Sequence, residues 1–255
     1  VYSGSALQID ATGLTGGETI DEVECNTLTV EGTVEAINND KVMAVVEGNK
    51  IMIKAKPVMI VETDAYYATL AEAFAAANNQ TVKVLQNITL TETVTIAAGK
   101  TVTLDLAGYT VSMNYTENAT ANHTMISNNG DLTIKTSGDG GMISYEYSGA
   151  NLGTTYSANA VTTNPGSKLT VLSGTIENTT FDNGIIAYAI DGLTNGGSGD
   201  VTVNINGGVI TSLRQAVRIF ANSTTKTGTL NISGGEITGR VIVQNANAIA
   251  NKAVL

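Results

Sequence analysis

The stretch TVTLDLAGYTV (101–111) returns four times along the chain, as DLTIKTSGDGGMI (131–143), KLTVLSGTI (168–176), DVTVNINGGVI (200–210) and TLNISGGEI (229–237). Each copy joins an alternating apolar and polar strand to a glycine-containing turn and a second short apolar strand. Alignment on one apolar position of each copy gives steps of 29 to 37 residues, and the aligned residues are Leu104, Ile134, Val171, Val203 and Ile232. Such a period is typical of a repeat architecture.

The repeat predicts an all-β fold, because one copy is too small to bury its own apolar face. Copies stacked about 4.8 Å apart would let their leucine, isoleucine and valine side chains form internal ladders. A copy that is longer than the shortest one would place its extra residues in a loop outside the stack, which explains the uneven steps. We therefore predict a parallel β-helix, a single-stranded solenoid, over residues 63–255, with the five aligned residues pointing inward.

The segment AYYATLAEAFAAANN (65–79) has the spacing of a short amphipathic helix. Thr69 and Glu72 form the pattern of a capping box, which predicts that the helix begins at Leu70. We expect a helix over about 69–78 that covers the open first coil, since an uncovered coil exposes strand edges.

Residues 1–62 predict a small β-rich module that precedes the solenoid. LTVEGTV (28–34) resembles the repeat, and KVMAVVEGNKIMIKA (41–55) indicates a hairpin that turns at Gly48 and Asn49. An alternative is that this segment adds a layer of strands along the solenoid, and the sequence does not separate the two.

The charge and cysteine content exclude several classes of protein. Thirteen Lys and Arg against twenty-three Asp and Glu give a net charge of −10, without a basic run, which argues against a nucleic-acid partner. The apolar stretch 42–61 is interrupted by charged residues, so membrane insertion is not expected. A single cysteine, Cys25, excludes an intramolecular disulfide and a cysteine-based zinc site.

The phrases AEAFAAANN (71–79), VKVLQNITL (82–90), TVTIAAGKTVTLDLAGYTVS (93–112) and GSKLTVLSGTIEN (166–178) carry a family resemblance. Together they resemble the pectate-lyase-like, right-handed parallel β-helix of adhesin-like bacterial surface and secreted proteins. The resemblance covers about residues 65–240. It implies a right-handed solenoid and an extracellular or cell-surface location, while phage spikes and fibres share the architecture and leave a virion protein as an alternative.

The β-helix family that the chain resembles includes polysaccharide lyases and glycoside hydrolases, whose catalytic groups would have to be present in an enzyme of this kind. Hydrolysis needs two facing carboxylates about 5–9.5 Å apart. Asp182, Asp191 and Asp200 lie in Gly- and Asn-rich segments, which predicts loop carboxylates. Arg214 and Arg218 lack acidic neighbours in SLRQAVRIF (212–220), which favours a surface role or a structural ion pair. The sequence therefore favours a protein that is not an enzyme, with a carbohydrate-active enzyme as the alternative.

No metal or organic cofactor is predicted, although a structural calcium ion at a turn such as Asp139 or Asp200 stays open. His123 lies in a polar segment without a second histidine or cysteine, which predicts an exposed loop residue rather than a metal ligand.

Tyrosine is the residue type whose distribution indicates recognition, because its ring stacks on sugars and its hydroxyl forms hydrogen bonds. The longest step of the repeat predicts a protruding loop over residues 144–160, which would present Tyr145, Tyr147 and Tyr156 as ligand-binding residues. We accordingly expect a non-catalytic surface protein for adhesion, display or contact with a glycan or a host-surface protein. The sequence leaves its oligomeric state open.

Overall fold

The structure is a computed structural model, and it describes residues 6–22, 33–48, 50–118, 120–150, 156–180, 185–194, 199–221, 225–245 and 253–254. Within these ranges the protein is built almost entirely of β-strands, and the strands of its two large sheets are mostly parallel. The predicted all-β class is confirmed. None of the described helices is long and apolar enough to cross a bilayer.

Five strands make up the N-terminal part: β1 (Ala6–Asp10), β2 (Thr19–Glu22), β3 (Thr33–Ile37), β4 (Val42–Glu47) and β5 (Lys50–Ala55). β1 and β3 form a parallel pair, while β2, β5 and β4 form an antiparallel sheet. The predicted hairpin is confirmed by the pairing of β4 with β5, although Asn49 lies outside the described residues, as does LTVEGTV up to residue 32. Ala11, Val42 and Ile53 form a small core of their own.

The segment between the two parts contains β6 (Val58–Ile60), the 3-10 turn Val61–Thr63, β7 (Ala65–Tyr67) and the helix α1 (Leu70–Ala76). The capping box is confirmed, since Thr69 Oγ1 accepts a hydrogen bond from the N–H of Glu72 and the Glu72 carboxylate accepts one from the N–H of Thr69. β6 already pairs with a strand of the larger part. A division of the chain at residue 62 stays a prediction.

The remaining strands are β8 (Gln80–Val84), β9 (Ile88–Thr89), β10 (Val94–Ile96), β11 (Thr101–Asp105), β12 (Thr110–Tyr115), β13 (His123–Asn128), β14 (Asp131–Lys135), β15 (Met142–Tyr147), β16 (Ser157–Thr163), β17 (Lys168–Val171), β18 (Thr175–Asn178), β19 (Ile186–Leu193), β20 (Val201–Ile205), β21 (Val209–Ala221), β22 (Gly228–Ile232), β23 (Glu236–Asn245) and β24 (Ala253–Val254). They form three parallel stacks. One runs β8-β11-β14-β17-β20-β22-β24, a second β9-β12-β15-β18 and a third β10-β13-β16-β19. The long strand β21 pairs with β18 and β19 and so joins the second and third stacks into one sheet.

The first stack contains two continuous apolar ladders that face the core. One joins Val102, Leu132, Leu169, Val203 and Leu230, all fully buried. The other, two residues further along each strand, joins Leu104, Ile134, Val171, Ile205 and Ile232. Stacking of this kind removes each interior side chain of a ladder from water on both sides.

The predicted alignment of the repeat needs two corrections. Val203 is buried as expected, but it pairs with Leu169 rather than Val171, whose partner is Ile205. Ile232 follows Ile205 in the ladder and is 45% exposed. The reason is its position, because β24 pairs only with Gly228 and Thr229 and, among the described residues, no further strand covers Ile232.

The corner before the second stack is built on glycine. Gly208 and Gly235 have φ of 81° and 92°, which a residue with a side chain rarely adopts. A Cβ on Gly208 would also lie 2.6 Å from the carbonyl oxygen of Gly174. Glycine at this corner lets the backbones of successive copies approach closely.

The ladder provides a matched test of register. Replacement of Ile205, which is fully buried, by alanine should lower the free energy of unfolding by about 2–5 kcal/mol because it leaves a cavity in the ladder. The same change at Ile232 should cost less than about 1 kcal/mol, since that side chain already contacts water. Urea unfolding of both variants checks this, and equal losses would contradict the assigned register.

Candidate functional site

Four strands of the sheet that β21 joins carry the same four-residue pattern of two buried apolar residues between two residues with polar groups. The pattern is Thr-Met-Ile-Ser at 124–127, Asn-Ala-Val-Thr at 159–162, Tyr-Ala-Ile-Asp at 188–191 and Gln-Ala-Val-Arg at 215–218. Parallel pairing places the four copies side by side on β13, β16, β19 and β21. Because two consecutive residues are buried, polar side chains three residues apart share the outer face, as contacts between them confirm.

A buried ion pair holds this face together on β19 and β21. Nε and Nη2 of Arg218 donate to Oδ1 and Oδ2 of Asp191, both at 2.7 Å. The Asp191 side chain is fully buried and that of Arg218 is 17% exposed. The guanidinium also lies over the ring of Tyr188 at 4.2 Å. Burial raises the pKa of Asp191, and the two hydrogen bonds from Arg218 oppose that rise.

A chain of hydrogen bonds leads outward from this ion pair. Nδ2 of Asn159 donates to Asp191 Oδ2 at 3.2 Å and to Thr162 Oγ1 at 3.1 Å. The Thr162 hydroxyl donates to Thr124 Oγ1 at 3.0 Å, and the Thr124 hydroxyl donates to the carbonyl of Ile126 at 3.1 Å. Among the described residues, the buried Oδ1 of Asn159 has no hydrogen-bond partner.

An aromatic cluster lies beside this chain. His123 stacks on Tyr115 with ring centroids 3.6 Å apart, and its Nδ1 lies 2.8 Å from the hydroxyl of Tyr145. Tyr147 packs against Tyr115 with centroids 5.9 Å apart and donates its hydroxyl to the carbonyl of Ala150 at 2.9 Å. Burial lowers the pKa of His123 and raises that of Tyr145, so both are neutral near pH 7.

These groups surround a two-lobed cleft. The larger cavity, of about 210 Å³, is the polar lobe, and its residues are Asn122, His123, Thr124, Ser127, Asn159, Thr162, Asn164 and Leu193. The smaller, of about 80 Å³, is the aromatic lobe, and its residues are Tyr115, Thr120, Ala121, Asn122, His123, Tyr147, Ser157, Ala158 and Ile185. Asn122 and His123 separate the lobes. Among the described residues, no carboxylate, lysine or arginine lines either lobe.

A larger cleft, of about 530 Å³, lies beside the first turn of α1 and the segment 86–94. Its lining is mostly apolar, and Glu92 is its one titratable side chain among the described residues. It has fewer converging polar groups than the two-lobed cleft, which we therefore take as the candidate site.

The predicted loop over residues 144–160 is wrong at both ends, because β15 includes residues 144–147 and β16 includes residues 157–160. Tyr145 is fully buried and Tyr147 is 2% exposed, since the outward and inward residues of β15 alternate in register with β12 and β18. Tyr156 is partly buried against the core, and residues 151–155 lie outside the described ranges. Tyr147 lines the aromatic lobe, whereas ligand binding by any of the three stays a prediction.

Two other sequence-based placements are corrected, and one is confirmed. His123 begins β13 and is partly buried rather than an exposed loop residue, because it stacks between tyrosines. Asp191 lies inside β19 rather than in a loop. Arg218 does form the structural ion pair that we considered, with an acid 27 residues earlier in the chain that parallel pairing brings alongside.

The remaining candidates lie elsewhere. The Nη1 of Arg214 donates to the carbonyl of Ile185 at 3.0 Å. Asp200 precedes β20, where its Oδ1 accepts from the N–H of Thr227 at 2.7 Å, and Asp139 is exposed in a turn. Asp182 and Cys25 are outside the described residues. The described residues contain no group of three or more His, Cys, Asp or Glu side chains that could hold a metal ion, and the calcium site stays a prediction.

Comparisons with protein-family models, with curated proteins and with solved structures found no match for this chain. The candidate site is therefore identified from its geometry alone.

The aromatic cluster predicts a pH dependence of stability. The folded protein holds the pKa of His123 below about 6.5, the value expected for the unfolded chain. As the pH falls through that value, the unfolded chain takes up a proton on His123 that the folded protein does not. The contribution of His123 to stability is therefore complete above about pH 6.5 and is lost below that pH. The melting temperature should fall between pH 7.5 and 5.5, a range above the titration of ordinary carboxylates.

The variant His123→Phe serves as the control, because phenylalanine keeps a ring against Tyr115 and does not titrate. Its melting temperature should be nearly constant over the same pH range. An equal decline in parent and variant would show that His123 is not the titrating group.

Proposed function

We propose that the three strand stacks are the faces of a right-handed parallel β-helix, that α1 caps its first coil, and that residues 1–62 form a separate small β module. The regular order, in which each stack takes every third strand from β8 to β20, supports this architecture. The burial of Leu70, Ala73 and Phe74 of α1 in the same core as β8 and β10 supports the cap.

We further propose that the protein is a non-catalytic extracellular or cell-surface protein that contacts a glycan in the two-lobed cleft, for adhesion or display. The observation that carries this proposal is the pairing of an aromatic lobe with a polar lobe of uncharged hydroxyl and amide groups. A sugar ring has the complementary chemistry, with C–H faces that pack on aromatic rings and hydroxyls that exchange hydrogen bonds.

The arrangement of charge supports binding rather than hydrolysis. Glycoside hydrolysis needs two carboxylates on either side of the scissile bond. The carboxylate of Asp191 contacts Asn159 of the polar lobe, and both of its oxygens accept hydrogen bonds from Arg218. A carboxylate held in this way is a poor proton donor or nucleophile. Tyr145 and His123 are neutral partners of one another, and the Tyr145 hydroxyl is buried.

Calorimetric titration with neutral and uronate oligosaccharides tests the proposal. At least one neutral oligosaccharide should bind, and Tyr115→Leu should weaken it about tenfold, or about 1.4 kcal/mol, because the ring that lines the aromatic lobe is lost. The matched control is Tyr109→Leu, at a tyrosine that is 38% exposed and outside the cleft, and it should bind like the parent.

The competing functions give other results. Release of reducing ends or unsaturated products would make the protein a carbohydrate-active enzyme. An SDS-resistant trimer that binds none of the sugars would favour a virion fibre or spike. Equal loss of binding in the Tyr115 and Tyr109 variants would place the site elsewhere.

A further inference from the structure

We infer that the polar lobe binds an uncharged saccharide whose hydroxyl groups act as hydrogen-bond donors, and that Thr162 is the residue that fixes this preference. The inference rests on the proposed glycan contact and adds the ligand class and the residue that sets it. It follows from where the hydrogen atoms of the cleft must lie.

The ion pair determines which atoms donate and which accept at the first hydrogen bond of the chain. Each oxygen of Asp191 accepts an N–H of Arg218 at 2.7 Å, and the positive charge of the guanidinium holds the carboxylate ionised, so that it only accepts. Asn159 must therefore turn its NH2 group towards Asp191, because the reverse orientation would place its carbonyl oxygen against a negative charge. This constraint explains why Asn159 Oδ1 is buried without a hydrogen-bond partner among the described residues. The charge-assisted hydrogen bond to Asp191 offsets the free-energy cost of burying that oxygen.

The direction is the same when the chain is followed from its other end. The carbonyl of Ile126 can only accept, so Thr124 uses its one hydroxyl hydrogen there. Thr162 must then donate to Thr124, and it accepts in turn from Asn159. Both hydroxyl hydrogens are thus committed within the protein.

The ligand class follows from what the two threonines leave free at the cleft, whose other polar residues are Asn122, His123, Ser127, Asn159 and Asn164. A hydroxyl has one hydrogen and two lone pairs, so Thr124 and Thr162 can each offer a lone pair but no hydrogen. A ligand hydroxyl can donate to such a group, whereas a methyl ether or a carboxylate cannot. Among the described residues, no lysine or arginine lines the lobe to neutralise a carboxylate, and the chain has a net charge of −10.

The experiment compares three sets of probes of equal length on the full chain. They are neutral oligosaccharides of glucose, galactose, mannose and xylose, uronate oligosaccharides, and the O-methylated form of the neutral sugar that binds best. The neutral sugar should bind at least tenfold more tightly than its methylated form and than every uronate.

Two variants of Thr162 then distinguish a change in ligand preference from a loss of folding. Thr162→Val removes the hydroxyl that links Asn159 to Thr124 with little change in shape, and it should reduce the preference for free over methylated sugar to less than about threefold. Thr162→Ser keeps a hydroxyl at this position and should keep the preference.

Each outcome has one meaning. If the parent binds no oligosaccharide, both the proposed function and this inference are wrong. If glycan binds but uronates or methylated sugars bind as tightly as the free neutral sugar, the proposed function stands and the inference is overturned. The inference is also overturned if Thr162→Val keeps the full preference.

Discussion

The apolar ladder of the first stack, from Val102 to Leu230, determines how the other elements are arranged. No single strand of the stack could bury its own leucine, isoleucine or valine, and each copy is completed only by the copies above and below it. The ladder fixes the register of every strand, because a slip by one residue would turn its apolar side chains to water. Register in turn determines which outward residues become neighbours.

The two-lobed cleft is a consequence of that register. Four copies of one polar pattern meet on one outer face because their apolar pairs share the core. The first and last copies begin 91 positions apart in the sequence, at Thr124 and Gln215. The buried Asp191–Arg218 pair then orients Asn159, and the carbonyl of Ile126 orients the two threonine hydroxyls. A buried ion pair seldom contributes much to stability by itself, and here it fixes the direction of the Asn159 amide.

Local features could be predicted from the sequence. The start of α1 follows from Thr69 and Glu72, and the hairpin from the alternating strands about Gly48, since each depends on residues within a few positions. The alignment of Val203 with Val171 failed because valine or isoleucine also stands two positions away, at Ile205, and the turn lengths vary. The partnership of Asp191 with Arg218 depends on pairing across 27 residues, although the shared pattern at 159–162 and 188–191 was a signal for it.

A crystal structure with the neutral oligosaccharide that binds most tightly is the sharpest test of the proposed site. We predict a sugar ring in the two-lobed cleft, next to Tyr115, with a sugar hydroxyl oxygen about 2.6–3.0 Å from Oγ1 of Thr162 or Thr124. A sugar bound in the cleft beside α1, or one that approaches these threonines with an ether or carboxylate oxygen, would contradict it.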